Sequence, residues 1–120
     1  MKRVILSIVT VVALSGAATS LRAQDAVKAD AKHYTVAFEN DQVRVVRVKV
    51  APKETLRQHE HATNRVSVTL TDMDFRVTAA DGTVQTPKRK PGEAAWGTPV
   101  KHIEENLSDK PCEIVMVDLK

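Results

Sequence analysis

Apolar and polar residues alternate with a period of two along much of this chain. For example, Val66, Val68 and Leu70 alternate with Ser67 and Thr69. Successive side chains of a β-strand point to opposite faces, so this pattern predicts strands with one apolar face. No segment after residue 32 shows the sustained 3.6-residue pattern of a helix. The chain is therefore predicted to be all-β, built as a sandwich or barrel of short strands.

Further segments have strand composition and are separated by turn residues. They are Tyr34 to Phe38, Val43 to Val50, Phe75 to Val77, Ala94 to Trp96, Val100 to Asn106 and Cys112 to Leu119. Asp81-Gly82 predicts a tight turn that pairs Phe75–Val77 with Thr83-Val84 as a hairpin. The last segment is apolar on both faces, which predicts a central, buried strand. The alternation changes phase at Val45-Val46, which predicts a β-bulge there.

The first 23 residues have the composition of a secretory signal peptide. A basic start, Met1 to Arg3, precedes the apolar run Val4 to Leu14 and a tail of small residues. That run is shorter than the roughly 20 residues of a membrane span, which disfavours a retained membrane anchor. Cleavage is predicted after Ala23, so the mature protein would begin at Gln24 and be periplasmic or secreted.

The mature part is predicted to be one domain without net charge. Residues 24–32 form a polar, alanine-rich lead that is expected to be flexible, either mobile or loosely helical, and residues 33–120 form the folded domain. The whole chain has 18 Lys and Arg against 15 Asp and Glu, and removal of Lys2, Arg3 and Arg22 leaves 15 against 15. A neutral domain has no general attraction for nucleic acid or for an anionic membrane, so neither is expected as a partner.

Two histidines separated by one residue, His59 and His61, carry the clearest chemical pattern in the chain. In a strand their side chains face the same way and can bind one metal ion. A third histidine, His102, lies in a later predicted strand. Because imidazole is the commonest metal ligand, the three residues predict a metal site. His33 is interpreted instead as an ordinary surface or hydrogen-bonded residue.

The segments around these histidines resemble the two motifs of small single-domain cupins of the RmlC-like type. The first runs from Pro52 to His61 and the second from Gly92 to Asn106. The resemblance covers roughly residues 34–119 and implies a double-stranded β-helix, the jelly-roll cupin barrel. It also implies that His59, His61 and His102 bind one divalent transition metal ion, which would be iron, zinc, manganese, nickel or copper.

The chain departs from the cupin motifs at positions that matter for chemistry. The glutamate expected after the second histidine falls on Arg65 or Val66, neither of which ligates a metal as a carboxylate does. A glycine of the first motif falls on Lys53, and lysine tolerates positive φ poorly, so a different turn conformation is expected. If Val100 to Asn106 is a regular strand, Glu104 shares a face with His102. Glu104 is therefore the candidate catalytic residue, as a metal ligand or as a base, with a solvent-facing position as the alternative.

These patterns leave three functions open. The first is an exported mononuclear metal protein with oxygenase-like or isomerase-like activity on a small molecule. The second is a non-catalytic module that binds a small ligand or a metal ion. The third is a barrel that has lost its metal site. Neither the reaction nor the substrate follows from the sequence, so whether the protein is an enzyme stays open.

Other conspicuous residues are interpreted as structural. Trp96 is expected to pack in the barrel, and Asn106 to close a turn or to bond the backbone. Cys112, the only cysteine, excludes an intrachain disulfide and is expected in the core. Lys88-Arg89-Lys90 is interpreted as a solvated loop. An uncovered sheet edge is a physical reason to expect a homodimer.

Overall fold

The computed structural model describes residues 25–120. The predicted signal peptide, residues 1–23, lies outside the described residues, as does Gln24. Residues 25–120 form one short helix and ten strands. Their bounds are α1 Ala26–Ala29, β1 Tyr34–Glu39, β2 Val43–Val50, β3 His59–His61, β4 Arg65–Thr69, β5 Met73–Ala79, β6 Val84–Gln85, β7 Lys88–Arg89, β8 Ala94–Gly97, β9 Val100–Asn106 and β10 Cys112–Leu119. The all-β prediction is confirmed.

The strands form two antiparallel sheets. One has the strand order β1-β2-β10-β4-β8, and the other has the order β3-β9-β5-β6 with β7 also paired to β5. The predicted hairpin is present, because Val77 of β5 lies opposite Gln85 of β6 and Gly82 in the turn has a φ of 89°. Strand β10 is central in its sheet, as its apolar composition predicts. This sheet arrangement is the double-stranded β-helix that the sequence predicts.

The apolar core lies between the two sheets. Inward-facing valines of β2 pack there with Ile114 and Met116 of β10 and with Met73 and Phe75 of β5. Phe75 is fully buried. Cys112 belongs to the same cluster, as expected. Since both sheets contribute to this cluster, burial of apolar area holds them together and fixes the relative position of β3 and β9.

The predicted bulge occurs at Val45-Val46, but the extra residue is in the neighbouring strand. Strand β2 pairs with β10 without interruption, from Val43 opposite Leu119 to Val50 opposite Cys112. The register shift lies instead in β1, between Val36 and Phe38. The prediction of an irregularity at Val45-Val46 is therefore confirmed for the β1–β2 pairing, with the extra residue in β1 and not in β2.

Lys53 adopts the conformation that the sequence analysis disfavours. Its φ is 58°, the left-handed region, and it is the only residue besides glycine with positive φ in residues 25–120. Its backbone N–H donates to the carbonyl of Ser108 at 3.0 Å, and its ammonium group donates to the carbonyl of Leu107. These bonds to the segment after β9 offset the backbone strain. The expectation of another turn conformation is wrong.

The segment before β1 packs against the barrel. Helix α1 is a single turn in which the side chain of Asp25 accepts a hydrogen bond from the N–H of Val27, and Ala26 is buried. His33 lies 2.6 Å from carboxylate oxygens of both Asp30 and Glu54, which agrees with a hydrogen-bonded, structural histidine. Within residues 25–120, no helix is long and apolar enough to cross a bilayer.

An apolar row crosses the outer face of the β1-β2-β10-β4-β8 sheet. Residues that lie directly opposite each other on neighbouring strands share a face of the sheet. Five residues paired in this way form the row, in order across the sheet: Phe38, Val45, Val117, Val66 and Trp96. Trp96 is 60% exposed at one end of this outer row, and Phe38 is 55% exposed at the other. The expectation that Trp96 packs inside the barrel is therefore wrong.

Candidate metal centre

Three buried histidines converge at one end of the barrel. His59 of β3 lies directly opposite His102 of β9, and His61 follows His59 on the same face. Their side-chain donor atoms all lie within 4.8 Å of one another. All three residues are buried, His59 completely. The structure thus brings together the three residues that the sequence spacing selects.

The orientation of the His59 ring is fixed by the backbone. Its Nδ1 lies 2.7 Å from the carbonyl oxygen of Arg57. A carbonyl only accepts hydrogen bonds, so Nδ1 carries the proton and donates. In the neutral ring this leaves the lone pair on Nε2, which lies 3.0 Å from Nε2 of His102. Metal-binding imidazoles are commonly oriented by such a hydrogen bond, donated by the ring nitrogen that does not bind the metal.

Burial keeps the other two imidazoles neutral. Burial first, and the positive charge of Arg65 next, hold the pKa of His61 far below its usual value. Burial also lowers the pKa of His102 to about 4, although the nearby Glu104 carboxylate acts in the opposite direction. Both rings are therefore unprotonated at neutral pH, and unprotonated nitrogen is the form that binds metal.

Glu104 points toward the histidines rather than into solvent. Its Oε1 lies 3.3 Å from Nε2 of His102, and its Oε2 lies 3.9 Å from Nε2 of His59. The Tyr34 hydroxyl donates to Oε2 of Glu104 at 3.1 Å and lies 3.0 Å from Nε2 of His59. Burial and then the Glu104 charge raise the pKa of Tyr34 well above its usual value, so Tyr34 is a hydrogen-bond donor at neutral pH.

Two pairs of donor atoms, from His59, His102 and Glu104, have the spacing of neighbours around one metal ion. Zinc–imidazole bonds are about 2.1 Å long, so two such ligands lie about 3.0 Å apart at right angles and about 3.4 Å apart at tetrahedral angles. The nitrogen atoms of His59 and His102 are 3.0 Å apart, and the Glu104 oxygen is 3.3 Å from the His102 nitrogen. The residues present therefore fit a mononuclear transition-metal site.

A cavity of about 420 Å³ adjoins the histidine cluster. His61, His102 and Glu104 line it, together with Arg65 of β4 and Arg89 of β7. Arg65 is buried, and its Nη1 donates to the carbonyl of Thr98 at 2.8 Å. The volume is suited to a small molecule.

Comparisons with known proteins agree with this geometry. The chain superimposes on a cupin domain from Bordetella pertussis with a TM-score of 0.67 and 24% identity, covering 72% of this chain and 91% of that one. The fold is that of the cupins. An RmlC-like cupin from Methanocaldococcus jannaschii gives a TM-score of 0.57 at 17% identity over 75% of this chain and 83% of that one. An oxalate oxidase gives 0.50 at 16% identity over 62% of this chain and 40% of that one.

No protein-family model matches the chain, and no curated protein matches it either. The solved structures named above are all less than 25% identical to this chain. They therefore establish the cupin fold, and the chemistry has to be argued from the residues of this chain.

Asn106 bonds the backbone, as the sequence analysis predicts. Asn106 is fully buried, and its Nδ2 donates to the carbonyls of Ala51 and Lys110 while its Oδ1 accepts from the N–H of Ser108. This is the structural role expected for it.

Three residues of the site were missed in the sequence. Tyr34 and Arg65 contact or adjoin the histidine cluster, and Arg89 lines the cavity. The prediction of a solvated loop at Lys88-Arg89-Lys90 is wrong for Arg89, because Lys88–Arg89 form strand β7 paired to β5. Only the relative positions of three strands, β1, β4 and β7, bring these residues to one cavity. The alternation in β4 does indicate the position of Arg65. Arg65 and Thr69 are four residues apart in the strand and therefore lie on the same face, which is buried at both positions.

Proposed function

We propose that this chain is an exported, mononuclear metal-binding protein of cupin fold whose cavity accepts a small molecule. His59, His61 and His102 would hold one divalent transition metal ion. The observation that carries the proposal is the convergence of the three buried imidazoles, with the lone pair of His59 directed at its neighbour by the Arg57 carbonyl. A buried cluster of three imidazoles that served no ligand would cost stability without an evident gain.

The donor set narrows the choice of metal by chemical class. Imidazole nitrogen suits zinc, copper, nickel and iron, and an added carboxylate from Glu104 extends the set to manganese. Three protein nitrogens leave coordination positions open for water or for a ligand. A bound metal would supply Lewis-acid activation of an oxygen atom, or dioxygen chemistry if it is redox-active.

The protein side chains around the site have defined tasks in this proposal. The Arg57 carbonyl orients His59, and the Tyr34 hydroxyl holds the Glu104 carboxylate against the histidines through the hydrogen bond at 3.1 Å. Glu104 would serve as a fourth ligand or as a proton acceptor beside the open positions. The oxygenase-like or isomerase-like activity considered above would use this arrangement, and turnover of a bound ligand would distinguish it from simple binding.

Metal analysis tests the proposal. Mature protein purified from its native compartment without added metal should contain about one equivalent of a transition metal. His59→Ala, His61→Ala and His102→Ala should each weaken metal binding by about 100-fold or more, because even outer partners of a ligand are worth about 10- to 100-fold.

His33→Ala is the matched control, because His33 lies outside the cluster and bonds Asp30 and Glu54. Its metal affinity should equal that of the unmodified protein. A content of about a tenth of an equivalent or less, together with unchanged affinity in all four variants, would overturn the proposal in favour of a barrel that has lost its metal site.

A further inference from the structure

Arg65 is a buried cation that forms no close ion pair within residues 25–120. Its residue is 8% exposed, and its pKa is lowered because burial disfavours the charged form. Within residues 25–120, its only side-chain hydrogen bond goes to the neutral carbonyl of Thr98, and no carboxylate oxygen lies within 4.0 Å of it. Glu104 and Asp118, the partner of Arg65 on β10, favour its charged form from beyond 4.0 Å. A buried guanidinium group that lacks hydrogen-bond acceptors is nevertheless costly, so an arginine in this position is evidence for a partner outside the chain.

Other arginines of the barrel contrast with Arg65. Arg44 donates to Asp25 and Asp118 at 2.9 Å each, and Arg76 donates to Glu105 at 2.9 Å. Both are more exposed than Arg65. The chain thus forms close ion pairs with arginines that water could solvate and forms none with the more deeply buried Arg65.

The backbone opposite Arg65 is shaped to receive its guanidinium group. Gly97 of β8 is the cross-strand partner of Arg65. A Cβ atom added to Gly97 would lie 2.7 Å from Cζ and 2.9 Å from Nε of Arg65, closer than real contacts allow. The absent side chain at Gly97 and the bond to Thr98 together hold the guanidinium at the wall of the cavity.

The remaining donors of Arg65 are available to a ligand. Nη1 is used by Thr98, whereas Nε and Nη2 have no acceptor within the described part of the chain. Two adjacent N–H groups of a guanidinium match the two oxygens of a carboxylate. Half-buried Arg89 lines the same cavity and adds positive charge.

The acidic residues of the cavity are already engaged. Glu104 bonds Tyr34 and lies beside His102, and Asp81 accepts the N–H of Thr83 in the hairpin turn. Neither carboxylate lies within 4.0 Å of Arg65. A bound anion would therefore find the Nε and Nη2 donors of Arg65 free.

We propose that Arg65 binds the carboxylate of a small organic acid, which is the ligand class of this cavity. The inference rests on the proposed function in so far as the acid would lie beside the metal centre, since Arg65, His61 and His102 line one cavity. It assigns Arg65 as a binding residue, with Gly97 and Thr98 as the residues that position it.

Calorimetric titration with butyrate and with its neutral analogue butyramide tests this assignment. Both probes are measured on the full mature protein, once loaded with zinc and once free of metal. The unmodified protein should prefer butyrate by about tenfold or more, as expected for a charge-assisted pair of hydrogen bonds. Arg65→Gln should abolish the preference, and Arg65→Lys should retain part of it because lysine keeps the charge without the paired donors.

Two further variants separate binding from folding. Gly97→Ala keeps the positive charge but displaces the guanidinium, so it should lower butyrate affinity while zinc still binds. Arg76→Gln removes a charge whose ion pair lies outside the cavity, and it should bind both probes as the unmodified protein does. If Arg65→Gln does not fold, the butyrate affinity of Gly97→Ala, compared with that of the unmodified protein, tests the assignment instead.

The outcomes distinguish this inference from the metal proposal. Butyrate preference that depends on Arg65 in metal-free protein, with no zinc bound by any preparation, would support the carboxylate site and overturn the metal centre. Zinc binding with equal affinity for butyrate and butyramide would support the metal centre and overturn the carboxylate site. Unchanged butyrate affinity in both Arg65→Gln and Gly97→Ala would also overturn it.

Discussion

Glu104 shows how one side chain can change the charge of a metal centre. Three neutral imidazoles leave the full positive charge on a bound divalent ion, whereas a carboxylate ligand removes part of it. Glu104 lies on the same face of β9 as His102 and is held by the Tyr34 hydroxyl. A carboxylate from another strand thus lies beside the histidines, in place of the acidic group missing at Arg65 or Val66. Whether it ligates the metal is open to a direct test.

Glu104→Gln keeps the shape of the side chain and removes its charge. We expect the affinity for zinc to fall by about 10- to 100-fold, the range found when groups that support a metal site are removed. Glu105→Gln is the control, because Glu105 is the next residue of β9 and pairs with Arg76 at 2.9 Å. Equal zinc affinity in Glu104→Gln and in the unmodified protein would remove Glu104 from the metal site.

The buried imidazoles also make the metal-free protein sensitive to acid. In the unfolded chain a histidine has a pKa of about 6.5, whereas burial lowers the pKa of His102 to about 4 in the folded chain. Between these two values the unfolded state binds more protons, so stability falls as the pH falls from about 6.5 to about 4. His61, whose pKa is also lowered, acts in the same direction.

Thermal unfolding of metal-free protein over this pH range measures the effect. Complete loss of the His102 contribution corresponds to about 3 kcal/mol, because one pKa unit is about 1.4 kcal/mol. The melting temperature should therefore decrease with acidification and should decrease less in His102→Asn. A melting temperature that stays constant or rises between about pH 6.5 and about pH 4 would contradict the lowered pKa values.

At the scale of elements, strand β4 shows what the sequence pattern does and does not specify. Alternation correctly predicts a strand, but it does not say which of its two faces is buried. Arg65 and Thr69 face inward, whereas Val66 lies in the outer row. The usual assumption that the apolar face is the inner one fails here because Gly97 leaves space for an arginine. The histidines were predictable because the strand period alone puts His59 and His61 on one face.

Turn conformations and bulges were less predictable than strands for a related reason. Strand β9 has the predicted bounds, Val100–Asn106, because its pattern is local. The left-handed backbone at Lys53 is stabilised by carbonyls near residue 108, which are distant in sequence. The bulge opposite Val45 likewise depends on how β1 pairs. Contacts of this kind are absent from any local pattern.

Asn106 joins three segments at the end of β9, and its loss should destabilise the fold. Asn106→Ala removes hydrogen bonds to the backbone of Ala51, Lys110 and Ser108 from a fully buried position. We expect the free energy of unfolding to fall by about 2–4 kcal/mol, because buried backbone groups would lose their partners.

Chemical denaturation measures the Asn106→Ala effect, and Asp109→Ala provides the comparison. Asp109 is exposed in the same loop, so its replacement should change stability by less than about 0.5 kcal/mol. A similarly small change for Asn106→Ala would show that the loop is held by other contacts.

For the whole molecule, compartment and stability are linked. The chain has one cysteine, so an oxidising compartment cannot add an intrachain disulfide. Burial between the sheets must supply most of the stability, and a ligand that binds only the folded state adds to it by mass action. A bound metal and a bound carboxylate would each stabilise the barrel in this way.

Export itself makes a specific prediction. Removal of the signal peptide after Ala23 gives a mature chain that begins at Gln24 and carries equal numbers of acidic and basic side chains. Intact-mass measurement on protein from the exported fraction should therefore give the mass of residues 24–120. Detection of Met1 on the chain in a membrane fraction would contradict both the cleavage and the proposed location.

The position of Trp96 in the outer row makes the protein its own optical reporter of self-association. It is the only tryptophan in the chain, and 60% of it is exposed at the β8 end of the outer row. Collisional quenching of its fluorescence should be efficient in the isolated protein. If two copies pair over this row, quenching should decrease as protein concentration rises, and pairing elsewhere should leave it unchanged. Emission from one residue thus distinguishes the ways in which the predicted homodimer can form.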